Sequence, residues 1–295
     1  MTTIDSASTG VASLCPVCDG DTQRHLQTDG YWIRVCKICT HQFLEVAIEQ
    51  SHTEEVYHDG YFFGDGAGYG NYLSERDYLI AAGRKYGEIL TQYQNVGSVL
   101  DVGSAAGFIL EGLAQSGWDG EGLEPNGVMV DYANATFSSR CHKGALESFQ
   151  SDNGFDAITM IQVVPHFYDL VTAFNAAERI TRPGGVWLIE LWNTRSITAK
   201  VLGKHWHEYD PPSVLNWFSE RSIRRLAERF GMRRIGRGRP GKCISGSHLK
   251  SVVEHSFPSG VVGSVANRLT RLIPDRLVVP YPGDDVFWVA FRKQK

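Results

Sequence analysis

The chain of 295 residues contains no run of about 18 apolar residues, so its hydropathy predicts no membrane-spanning helix. Its start, MTTIDSASTGVAS, lacks the basic stretch and apolar core of a secretion signal and reads as a polar, disordered tail over residues 1–12. A basic excess is missing as well: 29 Lys and Arg against 33 Asp and Glu leave a formal charge of −4. That balance argues against a general affinity for nucleic acid. Cysteine is scarce. Six are too few to staple a chain of this length, and four of them form two tight pairs, leaving Cys141 and Cys243 as isolated, buried thiols. A cytoplasmic protein is expected, without internal repeats.

What is present begins with those pairs. Cys15-Pro-Val-Cys18 and Cys36-Lys-Ile-Cys39 are C-x-x-C units separated by 17 residues. Two residues between cysteines let both thiolates of one turn face a single tetrahedral ion, and the gap falls in the range of a four-cysteine zinc ribbon. Residues 13–45 are therefore expected to form a small ribbon around one structural zinc, with Gly30 punctuating a hairpin. A redox pair, or four unrelated thiols, is the alternative.

Residues 46–96 combine a Tyr-, Gly- and His-rich segment with a lead-in helix, patterned by Tyr78, Leu79, Ala82, Tyr86, Ile89, Leu90 and Tyr93. The aromatic part is expected either to cover a cofactor or to be a packed irregular connection. Strands and helices then alternate. Strands are predicted at 98–102, 120–123, 155–161 and 186–191, helices at 108–115, 128–137 and 170–180, and a turn at 182–185. Ser219 is placed to cap a helix that Gly231 ends, and 286–292 reads as the last strand. The alternation predicts an α/β fold with a doubly wound, mostly parallel sheet.

The first strand runs Val99-Leu-Asp101-Val-Gly103 into Ser104-Ala105-Ala-Gly107 and a helix. A Cβ in that turn would block both its tightness and the approach of a ligand to the backbone. Glu124 follows Asp101 by 23 residues, at the end of the next strand, where a carboxylate accepts the ribose hydroxyls of a nucleoside cofactor. The Gly103-x-x-x-Gly107 spacing does not match the G-x-G-x-x-G of dinucleotide sites.

These motifs resemble class I methyltransferases, in which a strand ending in Asp-x-Gly-x-Gly-x-Gly holds S-adenosylmethionine. Gly122-Leu-Glu124-Pro125, the strand at 155–160 and Arg182-Pro-Gly-Gly185 are similar to that family's later motifs, in order. A closer resemblance is to bacterial methyltransferases with an N-terminal zinc ribbon that act in sugar, polysaccharide and natural-product biosynthesis. It implies a seven-stranded Rossmann-like methyltransferase domain over 97–295, with a substrate lid at about 195–218 and an insertion at about 242–280. It also implies S-adenosylmethionine contacts from Asp101, Gly103, Ser104, Ala105, Gly107, Glu124, Pro125, Leu146 and Gln162. Three positions depart from the family: Ala105 replaces a glycine, Val164-Pro165-His166 stands where relatives have Leu-Glu-His, and Val214 replaces a histidine.

Methyl transfer to a hydroxyl gains from a general base, and His166, just beyond a strand at the ligand-binding edge, is the first candidate, against a purely structural histidine. His207 and Tyr209, in the titratable stretch 204–210, are further acid–base candidates, and His205, His207, Glu208 and Asp210 are a conceivable second metal set. Arginines from Arg221 to Arg239 either face solvent on a helix or receive a phosphorylated, nucleotide-linked or carrier-tethered acceptor. The expected activity is methylation of a small-molecule biosynthetic intermediate, on oxygen rather than carbon or nitrogen. The alternatives are an RNA methyltransferase whose ribbon reads nucleic acid, and a non-catalytic S-adenosylmethionine-binding scaffold.

Overall fold

A computed structural model describes residues 14–46, 56, 72–138, 140–241, 243–246, 250, 260–270, 272–274, 277–280 and 284–294. The expected tail at 1–12, most of the aromatic segment before residue 72 and parts of the 242–280 insertion lie outside these described residues.

The chain opens with a small antiparallel sheet. β1 (Thr22–Thr28) and β2 (Tyr31–Cys36) are joined by Asp29 and Gly30, at φ 48° and 84°. Two successive left-handed residues give a turn whose twist matches that of the strands, which is why the Asp-Gly pair sits there. β3 (Gln42–Leu44) pairs with β2, and β9 (Asn216–Trp217) arrives from far along the chain to pair with β3.

The main body runs α1 (Arg76–Thr91), β4 (Ser98–Val102), α2 (Phe108–Gln115), β5 (Asp119–Glu124), α3 (Gly127–Thr136) and β6 (Arg140–Lys143). It continues with β7 (Phe155–Ile161), α4 (Leu170–Ile180), β8 (Thr181–Trp192) and α5 (Ile197–Leu202). After β9 come α6 (Glu220–Arg229), β10 (Met232–Gly238), a separate strand pair β11 (Cys243–Ser245) and β12 (Val278–Pro280), α7 (Gly260–Thr270) and β13 (Val286–Lys293). Seven strands form one sheet in the order β6-β5-β4-β7-β8-β13-β10; the first five are parallel, and β13 runs antiparallel to both β8 and β10. The order reverses at β4, which has β5 on one side and β7 on the other. The crevice beyond its carboxyl end is where ligands bind in such sheets.

Strand parity decides what each layer is made of. Val186 and Leu188 of β8 face Tyr86 and Leu90 of α1, whereas Trp187, Ile189 and Leu191 face α4 and α6. Phe174 of α4 meets Trp187 edge-on with ring centroids 5.5 Å apart. Burying such a ring contributes about 2–3 kcal/mol. α1 and α2 approach until backbones touch: a Cβ on Gly83 would lie 2.3 Å from the Ile109 carbonyl oxygen, and one on Gly112 2.2 Å from that of Ile80.

Two expectations change. The 182–185 segment is not a turn preceding a strand; β8 already pairs with Phe155 at Thr181, and the Pro-Gly-Gly residues form an irregularity before pairing resumes at Val186. The arginine-rich stretch is not one helix face either. α6 ends near Arg229, and Arg233, Arg234 and Arg237 lie on β10 at the sheet edge. Three of its arginines are committed, Arg224 to Glu228, Arg229 to Asp19 and Arg237 to Glu220.

Candidate active site and cysteine cluster

The loop from β4 to α2 is bent by three residues at positive φ, Gly103 (72°), Ala105 (44°) and Gly107 (77°). Gly103 leaves no room for a side chain, since a Cβ there would meet Val163 at 2.7 Å. Ala105 accepts the strained conformation because its N–H donates to Glu124 Oε2 at 3.0 Å. The other oxygen of Glu124 takes the Asn126 N–H at 2.9 Å, so the carboxylate ties the ends of β4 and β5 together. Each oxygen keeps a second lone pair able to accept a further hydrogen bond. Glu124 is 4% exposed, and burial pushes its carboxyl up to about 7, with the two N–H donors acting against the rise.

Asp101, at the level of Thr159 on β7, accepts the Thr159 hydroxyl at 2.6 Å through Oδ1. Its Oδ2 is buried without a donor among the described residues, and burial pushes the acid up to about 7. Ser104 is buried with its hydroxyl 3.1 Å from the Cys141 sulfur. Pro125 follows Glu124 directly, and Leu146 is buried in the 3-10 turn Leu146–Ser148 beyond β6, packed in the same core as Leu123.

Past β7 the backbone enters the left-handed region at Gln162 (φ 58°). Its Nε2 donates to Glu190 Oε1 at 3.1 Å, and Tyr86 donates to Glu190 Oε2 at 2.7 Å. In the sequence Tyr86 reads only as part of a helical pattern, and Glu190 carries the one signal for this group. That signal is a lone carboxylate inside the apolar strand VWLIELW. Burial, with Glu190 adding to it, holds the Tyr86 phenol well above its ordinary pKa.

His166 ends a 3-10 turn, Val164–His166, that follows Gln162. Its Nδ1 lies 2.8 Å from the Ser213 carbonyl oxygen, and the Leu215 N–H donates to the Pro165 carbonyl at 3.0 Å. The segment at Ser213–Leu215 therefore clasps the His166 turn. His207 stacks edge-on against Trp192 at 4.7 Å, and the Tyr209 hydroxyl donates to Gln42 of β3 at 2.8 Å. Burial pushes the Tyr209 phenol up to about 12. Among the described residues the sole group of at least three ligating side chains is the cysteine set, so His205, His207, Glu208 and Asp210 do not converge on a second metal. Packing on tryptophan claims the histidine ring instead.

The four cysteines do converge. Sγ atoms of Cys15, Cys18, Cys36 and Cys39 all lie within 4.8 Å of one another, with Cys15–Cys39 and Cys18–Cys36 at 3.5 Å and no disulfide. Four sulfurs about 2.3 Å from one ion stand about 3.8 Å apart, so the set fits a tetrahedral metal. N–H groups of Ile38 and Cys39 point at the Cys36 sulfur (3.3 and 3.4 Å), as thiolate ligation requires. The knuckle is fastened to the main body: His41 Nε2 lies 3.2 Å from Asn216 Oδ1, Thr40 meets the Ser219 hydroxyl at 3.1 Å, and Arg229 donates to the Pro16 carbonyl at 3.0 Å. Between them lies an open cavity of about 340 Å³ lined by Thr40, Asn193, Arg195, Ser219, Glu220 and Arg221.

A family model described as a methyltransferase domain matches residues 72–235. A ubiquinone biosynthesis O-methyltransferase from Actinobacillus pleuropneumoniae is 25% identical over 162 residues, 43% of this chain and 65% of that protein. The chain thus spans just under two thirds of that relative's length. Among solved structures, an S-adenosylmethionine-dependent methyltransferase from Archaeoglobus fulgidus aligns with a TM-score of 0.52 at 16% identity, covering 79% of this chain and 98% of the other. The YcgJ protein from Bacillus subtilis gives 0.51 at 16% identity, over 74% and 99%. At such identities these two report the fold. The family match takes in more than half of the chain, including the β4 loop, Glu124 and Gln162, so the chain belongs to the methyltransferase family.

Proposed function

We propose that the enzyme methylates an oxygen of a small-molecule biosynthetic intermediate, with His166 as the general base and with one structural zinc held by Cys15, Cys18, Cys36 and Cys39. The observation that carries the base is the 2.8 Å bond from His166 Nδ1 to the Ser213 carbonyl. A carbonyl only accepts, so Nδ1 carries a proton, and whenever the ring is neutral the lone pair is on Nε2. That tautomer is the one a base needs to take a hydroxyl proton. When bound, S-adenosylmethionine supplies an electrophilic methyl group on a sulfonium; the protein's larger contributions are alignment and exclusion of water.

The relative named as an O-methyltransferase supports oxygen over carbon or nitrogen. Gly103, Ser104, Ala105 and Gly107 form the cofactor floor, with Pro125 and Leu146 at its adenine side and Glu124 on the ribose. His207, beside Glu208 at 3.5 Å, is assigned a relay role in the lid, and Tyr209 orders the lid against the ribbon. Arg195 and Arg221 at the 340 Å³ cavity favour an acceptor carrying a phosphate, nucleotide or carrier tether.

The test is transfer of a labelled methyl group to a panel of hydroxylated acceptors, with His166→Ala alongside. The variant should lose at least about 100-fold in kcat and keep its affinity for S-adenosylhomocysteine. Full turnover would remove the base, and label found only on carbon or nitrogen would remove the oxygen assignment.

A further inference from the structure

Glu190 is 0% exposed and lies on the α1 face of β8, in the parity of Val186 and Leu188. A buried carboxylate is costly unless donors meet it, and two meet this one: Tyr86 from α1 and Gln162 from the end of β7. The Gln162 main chain is bound to the same residue, its N–H donating to the Glu190 carbonyl at 3.0 Å. A carboxylate accepts and never donates. The Gln162 amide can therefore meet Glu190 in one orientation only, with its NH2 inward and Oε1 turned the other way.

That Oε1 is buried, and no donor reaches it among the described residues. Gln162 also sits at φ 58°, a conformation unfavourable for a residue with a Cβ and held here by its two bonds to Glu190. On the same layer, the Asp101 Oδ2 is likewise buried without a donor. Buried acceptors without partners at the carboxyl ends of neighbouring strands call for a ligand that brings N–H groups and positive charge.

We infer that Glu190 and Tyr86 are positioning residues that orient the Gln162 amide, so that its Oε1 receives the ammonium of the cofactor's amino-acid chain beside the Asp101 carboxylate. This rests on the cofactor reading above and adds two residues to it. Neither touches the cofactor. They act through Gln162, because only a carboxylate at position 190 fixes which end of that amide faces the ligand. With glutamine at 190 the amide is free to present its NH2 to the ammonium, a repulsive arrangement.

The experiment compares two ligands by calorimetry. S-adenosylhomocysteine carries the ammonium; 5′-methylthioadenosine has the same nucleoside and thioether but no amino-acid chain. Glu190→Gln should weaken S-adenosylhomocysteine about tenfold and change methylthioadenosine less than about twofold. Tyr86→Phe, which leaves Gln162 untouched, should weaken S-adenosylhomocysteine about threefold with the same selectivity. In a Gln162→Ala background, Glu190→Gln should add no further loss. Equal losses for both ligands, or a folded Glu190→Gln protein with unchanged S-adenosylhomocysteine affinity, would overturn the proposal. If Glu190→Gln does not fold, the Tyr86→Phe and Gln162→Ala ratios decide it by the same criterion. A wild-type protein that binds neither ligand would overturn the cofactor reading itself, a result distinct from loss of the split.

Discussion

Replacing Glu124 by Gln removes a buried charge while keeping its shape, and the consequence should be visible in the pH dependence of stability. Burial raises the Glu124 carboxyl to about 7 from an ordinary value of 4.5. Because the folded pKa is the higher one, the native state holds the proton longer than the unfolded state. The stabilisation is thus complete below the unfolded pKa and is lost as pH rises through the folded one. Between about pH 5 and about pH 8 the two values correspond to about 2.5 kcal/mol lost from the ligand-free protein. Asp101 and Glu147, also raised to about 7 by burial, tilt the curve the same way. The substitution leaves either the Ala105 or the Asn126 N–H without its acceptor, but that loss does not vary with pH and cancels in a difference. Urea unfolding of wild type and Glu124→Gln at the two pH values isolates the titration. The variant's loss between them should be smaller by about 2.5 kcal/mol, and somewhat more if Asp101, raised in part by the Glu124 charge, relaxes as well. Cofactor affinity should move oppositely, rising with pH in the wild type as the carboxylate ionises to accept ribose hydroxyls, and being about 30-fold weaker in the variant at about pH 8. An unchanged stability slope in Glu124→Gln would refute the burial argument.

Metal analysis should find about one zinc per chain, and Cys36→Ser should release it with loss of several degrees of thermal stability; a folded, metal-free wild type defeats the ribbon assignment. Gly83→Ala places a methyl 2.3 Å from the Ile109 carbonyl, which is backbone and cannot swing aside. It should cost more than about 3 kcal/mol or yield insoluble protein, and a variant of wild-type stability in urea contradicts the helix contact. For His166→Ala the telling result is the separation of effects: turnover falls and S-adenosylhomocysteine affinity, read by calorimetry, stays within about twofold.

The doubly wound core was legible because its local signals agree with its packing. β4, α2, β7 and α4 lie at 98–102, 108–115, 155–161 and 170–180, where apolar runs and caps put them. The clustering of the four cysteines was legible from spacing alone, and they do gather. Short or polar strands were not. β6 (Arg140–Lys143) and β9 carry too few residues for a period, and β10 hides its pairing with β13 beneath three arginines and two glycines. The Glu190–Tyr86–Gln162 group escaped notice for a different reason. Its members are separated by 104 and 28 positions, and only the sheet brings α1, β7 and β8 to one point.

The pairing of β3 with β9 has a consequence for the order in which the molecule is made. His41 meets Asn216 across 175 positions of chain, and Gln42, paired with Val35 on one side, finds its partner on the other side in Trp217. While the sheet of β1, β2 and β3 is emerging from the ribosome, its outer strand has no neighbour on one side until Asn216 and Trp217 have been synthesised. In that interval the two cysteine knuckles can hold β1 and β2 together, but β3 presents an open edge. A fragment ending before residue 216 therefore keeps that unpaired edge for good.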